Sequence, residues 1–540
     1  MRSTFHGLEV AKRGMFTQQG AISVTGHNIA NVNTPGYTRQ RVNFVQTEPY
    51  PPASMNRPQI PGQMGTGVEA GSIQRVRESF LDTQYRGETN KLGYWQSKSE
   101  ALSKMEDILN EPSTNGLSAV MGQFWQSLQD LSVNPENEGA RAVVLQRGEA
   151  VVDTFHYLHS SISAIKNDIG SQISVTIKEV NSILEQISGI NKQISEIEPH
   201  GYLPNDLYDE RDRLVDQLSQ HVNIKVEKVA SGGNALKIAE GIYKISLVNT
   251  GGTDVPLVDG DKFNRIGIKG GIDSDQDNIP DQPKAPLTQF TIEKNIEGGT
   301  GSSEVGVLSF SQGKLKALAE AYGYDDGGTE KGTYPDMLDN LDKMAYTFGK
   351  LFNEVHKLGY PVKGDRPAAG SEKENFFIFG AGSDHKGAAS SIILNQKIEA
   401  RDILASSSKD NAGDGKNAIN LANISSMILS ETAQKLEGFT NTIDLTSLSA
   451  IESGTIQSFY EGMIGRLGVD AQQAVRMTKN SAVLAQSVET NRQSVSSVSL
   501  DEEMTNLIKF QHAYNAAARN ITVVDEMLDK IINGMGTVGR

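Results

Sequence analysis

The sequence predicts a mainly α protein with an inserted β part and nested domains. Three observations carry this. Both ends show helical hydrophobic spacing of a coiled-coil kind. Residues 138–198 form a long helical run with almost no breaker. Residues 231–309 change texture, with more Gly, Asp, Thr and Pro and short alternating runs.

The elements follow in chain order. Leu8, Ala11, Met15, Ile22 and Ile29 fall at three- and four-residue steps, with Gln18 and Thr25 filling the gaps, so one face of a helix has a coiled-coil rhythm. That helix must stop near Asn31. Asn33-Thr34-Pro35-Gly36 is a turn signal, because Pro fixes φ and Gly accepts positive φ. The proline also pushes Thr34 to extended geometry, so Tyr37 and Arg39 start an extended segment. Gly65-Thr66-Gly67 reads as a turn before a strand over 68–76. Helices are expected over 91–110 and 116–131. The run 138–198 carries an apolar stripe that includes Val144, Val151, Phe155, Leu158, Ile162, Ile165, Ile169, Ile173, Ile177, Val180, Leu184, Ile187, Ile194 and Ile197. A helix this long supercoils against neighbours. Helix 206–220 is dense in charge and reads as a solvated helix of surface ion pairs.

Within the insertion, 237–248 and 287–293 alternate as strands do. Helix returns over 335–356. A second non-helical patch, 359–415, carries FFIF at 376–379 and SIIL at 391–394, which reads as a hairpin. Helix follows over 417–434, and a second long helical pattern over 436–495. The last helix is the most regular: Leu507, Phe510, Tyr514, Ala517, Ile521, Val524, Leu528, Ile531 and Met535 repeat at 3-4 spacing. Asp501, Glu502 and Glu503 favour its N-terminal dipole, and Gly534, Gly536 and Gly539 end it. Leu500, Met504, Ala518 and Ile532 broaden the stripe beyond what one thin N-terminal helix covers. Two readings of these end helices stay open: helices marginal alone that order when several copies surround them, and ordinary helices packed on their own domain. The nested organisation is therefore 1–35 with 499–540, a mainly helical elongated body of 36–230 with 310–498, and a β-rich outer domain of 231–309.

The totals exclude several classes. Charge sums to 51 − 66 = −15, which argues against nucleic acid and anionic membranes as partners. No cysteine is present, so disulfides, thiolate metal sites and cysteine nucleophiles are excluded. No apolar run is long enough to span a membrane. The start lacks an apolar h-region, so export would not use a conventional signal peptide.

No catalytic constellation stands out. His156 and His159, at i and i+3, lack a third metal ligand and read as polar positions on a helix face. No HExxH, G-x-S-x-G or P-loop occurs. An enzyme is not expected, and no cofactor is required. In DSDQDNIPD, residues 273–281, the side chains of Asp273, Asp275, Asp277 and Asp281 could offer oxygens to Ca²⁺. The sixth position is Asn278 rather than Gly and the twelfth is Lys284 rather than Glu, so it is not an EF-hand. A short calcium loop and a solvated acidic turn both stay open.

ANVNTPGYTRQ at 30–40 resembles the N-terminal signature of the bacterial flagellar rod, hook and hook-associated axial proteins. SLDEEMTNLIKFQHAYNAAARNITVVDEML at 499–528 resembles their shared C-terminal helix. FWQSLQDLSVNPEN at 124–137, NDLYDERDRLVDQLSQ at 205–220 and AGDGKNAINLANI at 412–424 are similar to the hook-associated members of that superfamily. The resemblance covers most of the chain and is weakest over 231–309.

It implies that the two ends form a coiled-coil inner tube, with a helical domain outside it and β domains projecting outward. It implies Leu8, Met15, Ile22, Ile29, Leu507, Phe510, Tyr514, Ile521, Val524 and Leu528 as assembly-interface residues. Asn31, Asn33, Thr34, Pro35, Gly36 and Tyr37 form the signature turn. The implied role is a structural adaptor ring between hook and filament. Its implied partners are other copies of the chain, the hook protein, the second hook–filament junction protein, an export chaperone and the type III export apparatus, and its implied location is the secreted flagellum. Two other readings stay open: a hook-type polymer subunit, and a surface adhesin acting through the insertion.

Overall fold

The computed structural model describes residues 5–51, 54–55, 62–109, 113, 116–273, 279–284, 286–296, 301–380, 384–431, 433–439, 442–445 and 448–534. The chain opens with α1 (Phe5–Ala30), a hairpin of β1 (Gln40–Gln46) and β2 (Val68–Arg75), and then α2 (Ser79–Leu109), α3 (Leu117–Val133), α4 (Glu138–Ile197) and α5 (Asn205–His221). Strands β3 (Ile224–Val229), β4 (Ile242–Leu247), β5 (Val255–Asp259) and β6 (Lys262–Phe263) form one antiparallel sheet. A second sheet is built from β7 (Ile266–Ile268), β8 (Gln289–Glu293) and β9 (Ser302–Gly306). The chain then gives α6 (Lys314–Tyr322), a small hairpin of β10 (Tyr324–Asp326) and β11 (Thr329–Lys331), and α7 (Thr333–Leu358). Strands β12 (Phe377–Ile378) and β13 (Ile393–Leu394) pair around α8 (Ala388–Ser391). Last come α9 (Lys416–Asn423), a hairpin of β14 (Ala433–Lys435) and β15 (Thr442–Asp444), α10 (Ile456–Ser496) and α11 (Leu500–Gly534).

The protein is mainly α with inserted β. Helix α4 is its spine. Asn137 starts it, its side chain accepting from the Gly139 amide at 2.8 Å and the Ala140 amide at 3.3 Å, which satisfies two donors the helix itself leaves free. Its predicted stripe is buried except at Ile165 and Ile197, which are half-buried. The stripe meets α3, α5, α6, α7 and both β sheets, so one continuous core runs through body and insertion. At its centre, Phe124, Trp125, Phe348, Phe352, Phe376 and Phe377 stack edge to face or tilted. Helix α2 lies along α10, and Gly93 of α2 faces the Gln220 carbonyl so closely that a Cβ there would sit 2.3 Å from it.

Several expectations change. Residues 417–434 are not one helix: α9 ends at Asn423, where Ser425 and Ser426 turn their hydroxyls back onto the Ala422 and Asn423 carbonyls. Asn420 also holds both the amide and the carbonyl of Glu437, bending the chain back on itself. The pattern over 436–495 becomes helix only at Ile456, after a capping box between Thr455 and Ser458. Helix α2 starts earlier than 91, at Ser79, and the short α6 has no counterpart among the expected elements. The expected FFIF–SIIL hairpin is present as β12 and β13. The first strand of the insertion's sheet, β3, lies wholly ahead of 231.

The largest correction concerns α5. Three of its charges are not solvated: Arg211 is 0% exposed, Asp212 1% and Asp209 7%, while Asp206 stays exposed and Glu210 pairs with Arg213 near the surface.

Candidate functional site

Helices α1 and α11 run antiparallel, outside the continuous core. A Cβ on Gly7 would lie 3.6 Å from Val524, and one on Gly14 would lie 3.9 Å from Ala517. Asn28 closes the far end on Glu503 at 3.1 Å. Gly7, Gly14, Ala21 and Asn28 therefore mark a heptad-spaced line of small or polar residues that lets the two helices approach. Two members of the expected face, Ala11 and Thr25, are buried, and its larger apolar residues lie beside this line. Leu8, Met15, Ile22 and Ile29 each sit one residue further round and are half-buried, whereas Ala11, Ala21, Val24, Thr17, Thr25 and Asn28 are the buried positions. The reason is a second neighbour. The β1–β2 hairpin also lies on α1, with Thr17 donating to the Val68 carbonyl at 3.1 Å, so the deepest line faces both partners.

On α11, Leu507, Phe510, Tyr514, Ile521, Val524 and Leu528 are all half-buried. Phe510 meets Phe44 of β1 edge to face at 5.8 Å. Among the described side chains of α11 only Glu503 is buried. Met535 lies outside the described residues. Two apolar ridges are left uncovered. Leu500, Met504 and Ile508 form one near the start of α11; Val523, Met527 and Ile531 form the other near its end. Each is an i, i+4 row, and at the helical pitch they flank opposite sides of the α1-facing stripe. Ile532 is 71% exposed, and Phe16 of α1 is 55% exposed.

The signature turn anchors this pair to the body. The Thr34 amide donates to Asn31 at 2.9 Å and the Tyr37 amide to Thr34 at 3.2 Å, while Gly36 adopts φ +83° against the side chain of Arg213. Asn33, Thr34, Pro35 and Gly36 are themselves exposed. The polar work falls to Asn28. Its side-chain oxygen accepts from the Tyr37 hydroxyl at 2.8 Å and the Gln40 amide at 3.0 Å, and its amide nitrogen donates to the Gln40 carbonyl at 2.9 Å as well as to Glu503. Arg39 grips Glu503 at 2.8 Å and Glu502 at 2.6 Å. The Thr38 amide donates to Asp209 of α5 at 3.0 Å. Burial, then Asp206, Asp209 and Glu503, push the Tyr37 hydroxyl well above its ordinary range, so it stays a donor. Sequence reasoning missed Asn28 and assigned Glu503 only to the helix dipole. A buried-register Asn, four residues after Val24, was the available signal.

The other expected positions are plain. His156 Nε2 lies 2.7 Å from the Ile392 carbonyl, and burial lowers the His159 ring below its ordinary value. Asp275 and Asp277 lie outside the described residues. Asp281 is buried and engaged by Ser174 at 2.7 Å and Lys178 at 3.2 Å. Among the described residues no group of three or more His, Cys, Asp or Glu is placed to hold a metal. No described helix is long and apolar enough to cross a membrane.

Two ends that pair as helices outside a helical body, with a fixed turn between, agree with the layout that the resemblance to flagellar axial proteins implies. Residues 8–38 match the family of flagella basal body rod proteins, and 490–534 match the C-terminal part of the flagellar basal body rod FlgEFG proteins. Residues 102–377 match the helical domain of the flagellar hook-associated protein FlgK. The chain is 42% identical to flagellar hook-associated protein 1 of Bacillus subtilis (strain 168), covering 100% of both chains. It is 23% identical to the protein of that name in Escherichia coli (strain K12), over 97% of this chain and 98% of the other. The fold is similar to that of the flagellar hook junction protein FlgK from Burkholderia pseudomallei, with a TM-score of 0.56 and 13% identity over 77% of this chain and 100% of that one. The chain belongs to the flagellar hook-associated protein 1 family and is a structural component of the flagellum.

Proposed function

We propose that this chain is the adaptor subunit that joins hook to filament, assembling into a ring by self-association of its terminal helices. The observation that carries this is the pair of uncovered ridges on α11. They flank opposite sides of one helix, so a contact between copies is head-to-tail rather than self-complementary, and such contacts build rings or helical assemblies. Leu8, Met15, Ile22, Ile29, Leu507, Phe510, Tyr514, Ile521, Val524 and Leu528 hold the pair together and line its flanks. The signature turn fixes the direction in which the chain leaves it. Residues 1–35 with 499–540 act as the inner assembly domain, 36–230 with 310–498 as the body, and 231–309 as the outer domain. The role is structural rather than enzymatic. Partners are copies of this chain, the hook protein and the second junction protein. Delivery is by type III export with a chaperone, to a secreted position on the flagellum. An adhesin role for the insertion has no supporting observation.

The test adds purified chain to isolated hooks that lack junction proteins, with electron microscopy of the distal ends. A discrete cap or ring is expected. Met504→Asp and Ile531→Asp alter exposed positions, so the monomer keeps its stability within about 0.5 kcal/mol while the cap is lost. Long tubes grown from the chain alone would move the reading to a hook-type polymer.

A further inference from the structure

Asp212 lies at the middle of α5, inside a closed network of charge. Its carboxylate accepts from Arg75 at 3.0 Å, Arg86 at 3.2 Å and the Tyr243 hydroxyl at 2.8 Å, and lies 3.4 Å from Arg77. Those groups come from β2, the link after it, α2 and β4. Each continues outward. Arg75 also holds Asp209 at 2.6 Å and Glu240, and Asp209 receives the Thr38 amide from the strand that leaves the signature turn. Arg77 holds Asp82 at 2.8 Å. Arg86 holds Asp216 at 2.7 Å, and Asp216 also takes Arg492 of α10 at 2.5 Å. Arg211 stacks 3.4 Å from the centroid of the Tyr243 ring and donates to the Gly241 carbonyl at 2.7 Å.

Arg75, Arg77, Arg86, Arg211 and Arg492 thus face Asp82, Asp209, Asp212, Asp216 and Glu240, and the charges balance. Burial opposes ionisation of Asp212, but Arg77, Arg75, Arg86 and Arg211 hold its carboxyl far below the usual carboxylate range. Such a buried network is a poor source of stability, because well-packed apolar residues of the same volume do as well. What it supplies is direction. Charge-assisted bonds to a guanidinium accept one geometry, where a greasy contact slides. The elements it ties are those that carry the terminal helices on one side and the β insertion on the other.

We propose that Asp212 is a positioning residue. It fixes the angle at which the signature strand, the β1–β2 hairpin and the α2–α10 pair stand on the body and insertion, so that force on the terminal helices reaches the outer domains without slippage. The consequence for assembly rests on the adaptor reading above; the positioning itself does not.

The chain has no cysteine, so spin labels go only where cysteines are introduced. Gln486→Cys with Lys262→Cys spans α10 and the insertion, and Val45→Cys with Lys262→Cys spans β1 and the insertion. All three positions are exposed. In the full-length chain, Asp212→Asn is expected to broaden both distance distributions while the melting transition of the α4 core stays cooperative. Asp212→Glu restores at least part of the narrow distribution. Addition to hook ends is expected to fall at least about fivefold, the low end of coupling carried between sites. If Asp212→Asn does not fold, Tyr243→Phe removes one bond to Asp212 and keeps the packing on Arg211, and is expected to broaden the same distributions. Unchanged distributions in a folded variant overturn the proposal. Loss of hook addition by the wild-type chain would instead remove the adaptor reading and leave the distance result standing.

Discussion

His356 makes the body acid-sensitive at one identifiable point. The ring lies at 0% exposure in α7, stacked on Phe352 at 6.1 Å, beside the aromatic core. Its Nε2 accepts the Leu404 amide at 3.1 Å, so the neutral ring carries its proton on Nδ1. Protonating Nε2 would remove that bond and bury a cation near Arg141 and Lys357. Burial first, and those two charges with it, hold the ring at about 3, against an ordinary 6.5. The sign follows. The folded state refuses a proton that the unfolded chain takes, so this contribution is fully present above 6.5 and is lost as pH falls towards 3. At pH 5 the loss is about 2 kcal/mol, and below pH 3 about 5 kcal/mol, at about 1.4 kcal/mol per pH unit. Trp125 packs 5.5 Å from Phe348 in the same core and reports on it once Trp95 is replaced by Phe. Urea unfolding of that chain followed by Trp125 fluorescence at pH 7 and pH 5 gives the wild-type loss. His356→Gln keeps an acceptor for Leu404 and cannot ionise. Its loss between the two pH values should be smaller by about 2 kcal/mol. Equal losses in the two chains would refute the reasoning.

Gly93→Ala places a methyl 2.3 Å from the Gln220 carbonyl and should cost about 1–3 kcal/mol by separating α2 from α5, seen as a lower urea midpoint. Asn28→Ala removes the acceptor of the Gln40 amide and leaves the Glu503 carboxylate to Arg39 alone. Amides of α1 should then exchange faster in the full-length chain, with an opening energy lower by about 2–4 kcal/mol; unchanged exchange would remove Asn28 from the anchoring role. Millimolar calcium should give no binding heat by calorimetry, because Asp281 is already committed to Lys178 and Ser174.

Periodicity was enough for whatever depends on one face of one element. The stripe of α4 is legible because a long buried helix must repeat its apolar residues at helical spacing, and nearly every residue so identified is buried. The signature turn is legible because Pro35 and Gly36 restrict the backbone wherever they occur. Burial of charge was not legible. In sequence, NDLYDERDRLVDQL has the composition of a solvated helix. Only the arrival of Arg75 from β2, Arg77 from the link that follows it, Arg86 from α2 and Tyr243 from the insertion makes Asp209 and Asp212 interior. In α1 the expected face is buried at Ala11 and Thr25 but only half-buried at its larger members. Leu8, Met15, Ile22 and Ile29 are the larger apolar residues and attract the eye, but two helices approach most closely through Gly7 and Gly14, and the hairpin beside them shifts the buried line. The sequence by itself determined the long spine and the turn, since these follow from local spacing and backbone restriction. Tertiary structure alone decided which polar groups are buried and which apolar rows stay open. Both depend on what neighbouring segments, distant in the chain, bring to the same place.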